Sequence, residues 1–184
     1  ALSKYPTPII LDPVIVSSTG HRLLSEEAQE VVKQRLLPLS LLVTPNIPEM
    51  IALTNHPITT LEDKPQAAKR LFDYGVKAIL LKGGHEEGDL KNDILFSSSQ
   101  SGIHHTIFTA DTIPTHNTHG TGCTLSAAIT AYMARGCSMV EAIAEAKRFI
   151  TEAIRSGANI EIGHGIGPVN HSFNPQKMMV YDIE

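Results

Sequence analysis

The sequence contains few cysteines, few charged side chains and no long apolar run. Its 184 residues include 2 cysteines, which are too few for a disulfide framework and favour a reducing cytoplasm. Lys and Arg total 15 against 19 Asp and Glu, and no basic run interrupts the chain, so we expect neither nucleic acid nor an anionic membrane as the main partner. No apolar run approaches the length of a membrane span, and we expect no signal peptide. The expected location is the cytoplasm.

Two common kinds of site are also missing from the sequence. The 9 histidines are scattered, and none of them has the i, i+4 spacing of two ligands on one helix face, so a dedicated zinc site is not expected. The pattern Gly-x-x-x-x-Gly-Lys-[Ser/Thr] does not occur, which excludes a P-loop nucleotide site. Any phosphate site in this chain must use a different arrangement of residues.

The sequence does contain enough apolar side chains for a core. Hydrophobic residues make up 42% and charged residues 18% of the chain, so disorder is not expected. We find no internal repeat and no linker, and therefore predict a single domain over residues 1–184. Because the chain begins at Ala1 without a methionine and enters an apolar strand within a few residues, we expect either a processed initiator or a piece of a longer protein.

Apolar segments of strand length alternate with amphipathic segments of helix length. Short apolar runs predict strands at residues 8–12, 41–44 and 76–81, and a hairpin at residues 93–97 and 103–108. Ser25 and Ser138 each precede acidic residues in the pattern of a helix start. Strands that alternate with helices pair in parallel through right-handed crossovers, and ligands bind at the carboxyl ends of such strands. The pattern therefore predicts an α/β fold with its site at that edge of the sheet.

One stretch, residues 119–134, has the pattern of an anion site. Gly120-Thr121-Gly122-Cys123 leads into an apolar, alanine-rich run with high helix propensity. A glycine-rich turn can point successive N–H groups at one position, and the first turn of a helix adds unpaired N–H groups and the positive end of the helix dipole. A phosphate would fit there, and a thiolate would be stabilised. Taken alone, the same residues also fit a plain loop-to-helix junction with a buried, inert cysteine.

Polar side chains follow the ends of the predicted strands. Asp12 ends the first strand, and Asn46 and Glu49 follow the second. Lys82 follows the third strand. Helix caps and solvated side chains would explain each of these residues separately, but their common position at one edge of the sheet favours a shared site. Because carboxylates hold Mg²⁺, a lysine neutralises phosphate charge and N–H groups stabilise the transferred group, the sequence predicts a phosphoryl-transfer site.

A set of motifs carries a resemblance to a known family. The motifs are Asp12-Pro13-Val14, Thr44-Pro45-Asn46-Ile47-Pro48-Glu49, Lys82-Gly83-Gly84-His85, Thr118-His119-Gly120-Thr121-Gly122-Cys123-Thr124 and Gly165-Ile166-Gly167-Pro168-Val169-Asn170-His171. In this order the sequence resembles the hydroxymethylpyrimidine and phosphomethylpyrimidine kinases of the ribokinase-like superfamily. The resemblance covers nearly the whole chain. Family members carry a considerable N-terminal portion ahead of the first motif, which is absent from this sequence.

The resemblance implies both a fold and an activity. The implied fold is α/β and ribokinase-like, with a mostly parallel sheet flanked by helices and with the N-terminal strands absent from this chain. The implied activity is ATP- and Mg²⁺-dependent phosphorylation of 4-amino-5-hydroxymethyl-2-methylpyrimidine and then of its monophosphate, giving the diphosphate used in thiamin biosynthesis. The implied partners are the pyrimidine substrate, ATP and a second copy of the chain in a homodimer.

Roles for the glycine turn also come from the resemblance. Cys123 resembles the general base that takes the proton of the substrate hydroxyl, where most of the superfamily has an aspartate. Gly120, Thr121 and Gly122 resemble the anion hole that faces the transferred phosphoryl group. Val14 resembles a residue that contacts the pyrimidine. These residues form the predicted catalytic and substrate-binding set.

Roles for the charged residues follow in the same way. Asn46 and Glu49 match the superfamily's Asn-x-x-Glu element, which organises Mg²⁺, its waters and the phosphates. Asp12 resembles a second acid near the metal, and Lys82 resembles the lysine that contacts phosphate. Lys147 occupies a position near the nucleotide, although a solvated lysine on a helix surface fits its sequence context equally well. The predicted metal ligands are therefore Glu49 and Asp12, and the predicted nucleotide contacts are Lys82, Asn46 and Lys147.

Two other functions remain open from the sequence alone. A pyridoxal or pyridoxine kinase of the same superfamily can share the Gly-x-Gly-Cys variant, and most of the residues that separate the two substrates lie in the absent N-terminal portion. A catalytically inactive fragment that needs its N-terminal part is the second alternative, because the residues for phosphoryl transfer are present while most of the substrate pocket is missing.

Overall fold

The computed structural model describes residues 2–4, 7–16, 22–84 and 88–175. His85, the last residue of one predicted motif, lies outside the described residues. The described residues contain a sheet of 5 strands in the order β1-β2-β3-β4-β5. Its strands are β1 (Ile10–Leu11), β2 (Leu42–Val43), β3 (Ala78–Leu81), β4 (Leu90–Ser99) and β5 (Gly102–Asp111).

The sheet is mixed. β1, β2 and β3 are parallel, with Leu11 paired to Val43 and Val43 paired to Ile79. β4 runs antiparallel to β3, and β5 runs antiparallel to β4. The parallel part carries the carboxyl-terminal strand ends at which the sequence predicts the site. The α/β class predicted from the sequence is confirmed, with the hairpin supplying the antiparallel half of the sheet.

Helices join and cover the strands. The α-helices of the described residues are α1 (Glu26–Val31), α2 (Ile47–Thr54), α3 (Asp63–Phe72), α4 (Thr121–Ala134) and α5 (Met139–Gly157), and a π-helical turn at Val32–Leu36 continues α1. Their starts follow the sequence signals: Ser25 Oγ accepts a hydrogen bond from Ala28 N, and Ser138 forms a capping box with Glu141. None of these helices is long and apolar enough to cross a membrane.

Strand residues alternate between two apolar cores on opposite faces of the sheet. Leu80 belongs to the core that α4 and α5 cover, together with Ile129 and Ile143. Ile79 and its alternating neighbour Leu81 belong to the other core, which α2 and α3 cover. Because both faces are covered, the three parallel strands are apolar at every position rather than at every second one. Only the ends of these strands are left for polar chemistry.

The hairpin is longer than the sequence indicates. Each of its strands has 10 residues, and the pairing runs from Leu90 with Asp111 to Ser99 with Gly102. The predicted five-residue loop is therefore a tight turn. Gly102 has φ 121°, a conformation that a residue with a side chain rarely adopts, so the turn can close between Ser99 and Gly102.

Candidate active site

Three charged side chains from separate segments meet beyond the carboxyl ends of the parallel strands. Asp12 follows β1, Glu49 lies in the first turn of α2, and Lys82 follows β3. Lys82 Nζ lies 2.9 Å from Asp12 Oδ1 and 3.8 Å from Glu49 Oε2. The side chains are largely buried, with 13% of Lys82, 13% of Asp12 and 3% of Glu49 exposed. The structure therefore holds a lysine between two carboxylates at this edge of the sheet.

Short local interactions put these residues in place. Lys82 N donates a hydrogen bond of 2.8 Å to Pro45 O, so Lys82 continues the pairing of β2 with β3 by one step. The chain then enters α2 through a capping box: Asn46 Oδ1 accepts from Glu49 N, and Glu49 Oε2 accepts from Asn46 N, each at 2.8 Å. The spacing of Asn46 and Glu49 therefore starts the helix and also fixes the Glu49 carboxylate beside Lys82.

A buried hydroxyl orients the Asp12 carboxylate. Thr44 is fully buried, and its Oγ1 donates a hydrogen bond of 3.0 Å to Asp12 Oδ1. The same oxygen accepts from Lys82 Nζ. Sequence reasoning did not select Thr44 as a site residue, because a β-branched residue that follows an apolar strand fits the core equally well.

Burial raises the pKa of Glu49 above its ordinary value, because a carboxylate removed from water loses hydration. The positive charge of Lys82 and the hydrogen bond from Asn46 N act in the opposite direction. The negative charge of Asp12 adds to the rise. The site therefore places two acids where an additional positive charge would be favourable.

The variant Glu49→Gln isolates the cost of this buried charge. A carboxyl whose pKa is raised by folding makes the protein less stable as the pH rises from the ordinary value of 4.5 through the raised value, and the loss is constant above it. Glutamine keeps an oxygen for the Asn46 N–H but never ionises. We therefore expect the free energy of unfolding of Glu49→Gln, measured relative to that of the wild type, to increase as the pH rises through this window. Urea unfolding between acidic and neutral pH measures the difference, and a difference that does not change with pH would contradict it.

The glycine turn lies against the charged cluster. Gly120 has φ 87° and precedes α4, so the turn uses the left-handed conformation that glycine permits. Gly122, which has no positive φ, is in the first turn of α4, and a Cβ atom built on it would lie 3.2 Å from Lys82 Nζ. Cys123 follows and is exposed. The turn, the start of α4 and Lys82 therefore border one space.

The C-terminal segment of residues 167–171 holds the glycine turn from the other side. His119 N donates to Gly167 O at 3.0 Å, and Val169 N donates to His119 O at 3.3 Å. His171 Nε2 lies 2.8 Å from Thr124 Oγ1, within hydrogen-bonding distance. The turn is thus fixed by backbone pairing on one side and by a side-chain contact at the first turn of α4.

Lys147 reaches the site through Asp93. Lys147 Nζ lies 2.7 Å from Asp93 Oδ2, and Asp93 Oδ1 accepts a hydrogen bond of 2.9 Å from Gly83 N, next to Lys82. The exposed fractions are 11% for Lys147 and 5% for Asp93. Lys147 is therefore not a solvated surface lysine. Sequence reasoning missed Asp93, although a carboxylate two residues before the buried Leu95 on the same strand face was a usable signal.

We expect Lys147→Met to lower the free energy of unfolding by about 3 kcal/mol, because it leaves the buried Asp93 carboxylate without its cation. The double variant Lys147→Met/Asp93→Asn removes both charges and should recover part of the loss. Urea unfolding of the wild type and the two variants tests this. Equal stability of Lys147→Met and the wild type would show that the ion pair contributes little.

Val14 is the remaining predicted site residue. Val14 is 40% exposed, and its backbone N donates to Asp12 O at 3.0 Å, which places it beside the charged cluster. Cys137 packs against the core under α4 and α5, as expected of a structural cysteine. Asn117, another residue that the sequence did not single out, is buried and donates through Nδ2 to Gly157 O at 2.7 Å.

The donor set fits Mg²⁺ better than a fully protein-bound metal. In the described part of the chain, no group of three or more His, Cys, Asp or Glu side chains is placed to hold a metal ion. Mg²⁺ is commonly bound through one or two carboxylates together with substrate phosphates and waters, which is what Asp12 and Glu49 could offer. Together with a lysine and a glycine turn at a helix start, this arrangement can bind a polyphosphate and its cation.

Comparison with known proteins identifies relatives over most of the chain. The sequence model described as phosphomethylpyrimidine kinase matches residues 1–170. The chain is 46% identical over 163 residues to the thiamine biosynthesis bifunctional protein ThiED of Geobacter sulfurreducens, covering 89% of this chain and 32% of that protein. It is 40% identical over 164 residues to the hydroxymethylpyrimidine/phosphomethylpyrimidine kinase of Escherichia coli, covering 89% of this chain and 60% of that protein. The chain thus spans less than two thirds of these curated relatives.

Solved structures share the fold. A Bacillus subtilis pyridoxal kinase in an ADP complex superimposes with a TM-score of 0.77 at 32% identity, covering 89% of this chain and 60% of that chain. A phosphomethylpyrimidine kinase from Clostridium difficile gives a TM-score of 0.69 at 36% identity, covering 83% and 60%. The Staphylococcus aureus pyridoxal kinase in complex with AMP-PCP and pyridoxal gives 0.75 at 32% identity, covering 89% and 57%. Adenine nucleotides are therefore bound by proteins of this architecture.

Proposed function

Because this chain belongs to the phosphomethylpyrimidine kinase family, we propose that it transfers the γ-phosphoryl group of ATP to 4-amino-5-hydroxymethyl-2-methylpyrimidine and then to its monophosphate. The reaction makes the pyrimidine diphosphate used in thiamin biosynthesis. The observation that carries the proposal is the meeting of Asp12, Glu49 and Lys82 with the glycine turn at Gly122, since two carboxylates, a lysine and a helix start are the groups that a phosphoryl-transfer site needs.

We assign the proton transfer to Cys123. In the first step, the thiolate of Cys123 takes the proton of the substrate hydroxymethyl group as its oxygen attacks the γ-phosphorus, and ADP leaves with the electrons of the broken P–O bond. We assign Gly120, Thr121 and Gly122 as the anion hole: the backbone N–H groups of Gly120 and Gly122 would stabilise the charge that develops on the oxygens of the transferred group, whereas Thr121 N donates to Thr118 O at 3.3 Å. In the second step the acceptor is the phosphate of the monophosphate, which presents an oxygen that is already ionised.

The charged residues are assigned to ATP and its cation. Asp12 and Glu49 would hold Mg²⁺, which neutralises charge on the nucleotide phosphates when it is bound. Lys82 and Asn46 contact the phosphates or their waters. Lys147 lines a groove of about 520 Å³ between β5 and α5, which we propose receives the nucleoside part of ATP.

Because Glu49 is assigned to Mg²⁺, we expect Glu49→Gln also to raise the Mg²⁺ concentration needed for half-maximal turnover by about tenfold.

Further features of the proposal concern the substrate, the location and the assembly. Val14 would contact the pyrimidine, since it is exposed beside Asp12. A thiolate base must stay reduced, so we place the reaction in the cytoplasm. A homodimer is supported by the long β5 strand at the edge of the described sheet, whose outer backbone groups suit association. Light scattering across a concentration series tests the dimer.

A coupled assay for ADP release tests the proposed reaction. Purified chain is supplied with ATP, Mg²⁺ and equal concentrations of hydroxymethylpyrimidine and pyridoxal, and both products are quantified by mass spectrometry. We expect phosphorylation of hydroxymethylpyrimidine to dominate and the diphosphate to follow. Preferential phosphorylation of pyridoxal would instead establish the second candidate, a pyridoxal kinase, which the likeness to solved pyridoxal kinases supports.

A third outcome of the same assay concerns the length of the chain. The chain spans 60% of its relative from Escherichia coli, so ADP release is expected only if this part contains a working acceptor site. Binding of ADP without turnover of either acceptor would identify a nucleotide-binding part that needs further residues for activity. Isothermal titration with ADP separates this case from a chain that binds no nucleotide at all.

A further inference from the structure

The buried Thr44 side chain makes a hydrogen bond that is not needed to fill its position in the core. Its backbone N donates to Leu11 O at 3.0 Å, which already joins the ends of β1 and β2. The side chain is fully buried, a position that a valine of the same shape could fill. The hydroxyl, however, donates to Asp12 Oδ1 at 3.0 Å. A buried hydroxyl is therefore directed at a carboxylate of the site.

Both bonds to the Asp12 carboxylate within the described residues go to the same oxygen. Oδ1 accepts from Thr44 Oγ1 at 3.0 Å and from Lys82 Nζ at 2.9 Å. The plane of an aspartate carboxyl is otherwise loosely defined, since its terminal torsion has a broad, roughly two-fold profile. Two donors on Oδ1 fix the plane of the carboxylate and leave Oδ2 as the oxygen without a donor from either residue.

The two donors differ in how firmly they are held. Lys82 has four rotatable side-chain bonds and lies next to the space that we assign to the phosphates, so binding of a nucleotide can draw its ammonium away from Asp12. Thr44 has a stiff β-branched side chain on a backbone fixed by the sheet. Only the threonine can therefore hold Asp12 in the same orientation before and after a nucleotide binds.

We infer that Thr44 is a positioning residue, whose hydroxyl fixes the Asp12 carboxylate through Oδ1 so that Oδ2 is presented to the divalent cation of the nucleotide complex. The inference rests on the proposed function, because it takes Asp12 as a cation ligand. Partners that orient a metal-binding carboxylate commonly account for about 10- to 100-fold in metal affinity. Thr44 thereby acts on cation binding without touching the cation or the substrate.

The test compares Thr44→Val with Thr44→Ser by isothermal titration of ADP at a series of Mg²⁺ concentrations. Valine keeps the shape and loses the hydroxyl, whereas serine keeps the hydroxyl. We expect the Mg²⁺ concentration for half-maximal ADP binding to rise about tenfold in Thr44→Val, to stay near the wild-type value in Thr44→Ser, and ADP affinity without Mg²⁺ to stay unchanged in both. Thr54→Val is the matched control, since Thr54 is also buried but its hydroxyl donates to Met50 O and accepts from His56 N, away from the carboxylates of the site.

The outcomes separate the inference from the proposed function. An unchanged Mg²⁺ dependence in Thr44→Val overturns the inference, and so does an equal loss of ADP affinity with and without Mg²⁺, which marks a structural role. The melting temperature of Thr44→Val should lie within about 4 °C of the wild type, since a single hydrogen bond is lost. If the wild type itself shows no Mg²⁺-dependent ADP binding, the proposed function fails and the role of Thr44 falls with it.

Discussion

Replacement of Cys123 by serine should lower the turnover number by about 100- to 10,000-fold, the usual contribution of a general base, and should leave ADP affinity nearly unchanged. The side chain is exposed at the first turn of α4, which is the positive end of the helix dipole, so a substrate hydroxyl and a phosphate can reach it. A serine hydroxyl occupies nearly the same volume but does not ionise near neutral pH. The expected loss therefore falls on proton transfer and not on the binding of phosphate.

The second cysteine provides the control for this variant. Cys137 is half-buried and packs against the core under α4 and α5, so Cys137→Ser tests the removal of a thiol away from the site. Turnover is measured by ADP release at saturating ATP and hydroxymethylpyrimidine, and ADP affinity by titration. Cys137→Ser should retain the wild-type turnover. Full turnover in Cys123→Ser would show that the base is another group.

Replacement of Gly122 by alanine should separate stability from activity. Gly122 has no positive φ and lies in the first turn of α4, so alanine is compatible with the backbone and can raise the free energy of unfolding by up to about 1 kcal/mol. The added Cβ, however, would lie 3.2 Å from Lys82 Nζ, closer than ordinary contact. Because Asp12 holds that ammonium at 2.9 Å, the lysine must shift away from its present position.

We expect kcat of Gly122→Ala to fall by about 100-fold, because the added Cβ occupies the space beside Lys82 Nζ through which the ammonium would reach the phosphates, and a misplaced charge-stabilising group costs catalysis far more than stability. Gly165→Ala is the matched control: Gly165 also has no positive φ, and a Cβ there meets no atom within 4 Å. Steady-state kinetics and urea unfolding of both variants test this expectation. A Gly122→Ala protein with wild-type kcat would mean that Lys82 can move without consequence for the reaction.

The fold could be predicted largely because the strands and helices differ in apolar pattern. The parallel strands are short and apolar throughout, and the helices begin at recognisable caps such as Ser25 and Ser138. The predicted strand at residues 8–12 is only Ile10–Leu11 in the structure, since its pairing with β2 ends where Asp12 turns away. The length of the hairpin was underestimated because polar residues beyond the predicted strand ends, such as Asn92 and Thr109, pair in the ladder without an apolar pattern.

The site could be predicted as a set of residues but not as a set of contacts. The rule that polar groups gather at the ends of parallel strands was sufficient to select Asp12, Glu49 and Lys82. It gave no means of pairing Lys147 with Asp93, since these residues are 54 positions apart and their contact depends on how α5 packs on the sheet. The hydrogen bond from the Thr44 hydroxyl to Asp12 could not be predicted either, because the sequence does not say which neighbour a buried polar atom will bond to.

The ion pair between Asp12 and Lys82 also bears on the order of folding, because the two residues are 70 positions apart. The β4–β5 hairpin closes locally between Ser99 and Gly102, whereas the parallel strands must wait for their crossover helices. Closing long loops is slow and costs entropy that local turns do not. We therefore expect the hairpin to form early in folding and the charged cluster to form only when the parallel strands dock. Formation of the site would then accompany the last stage of folding.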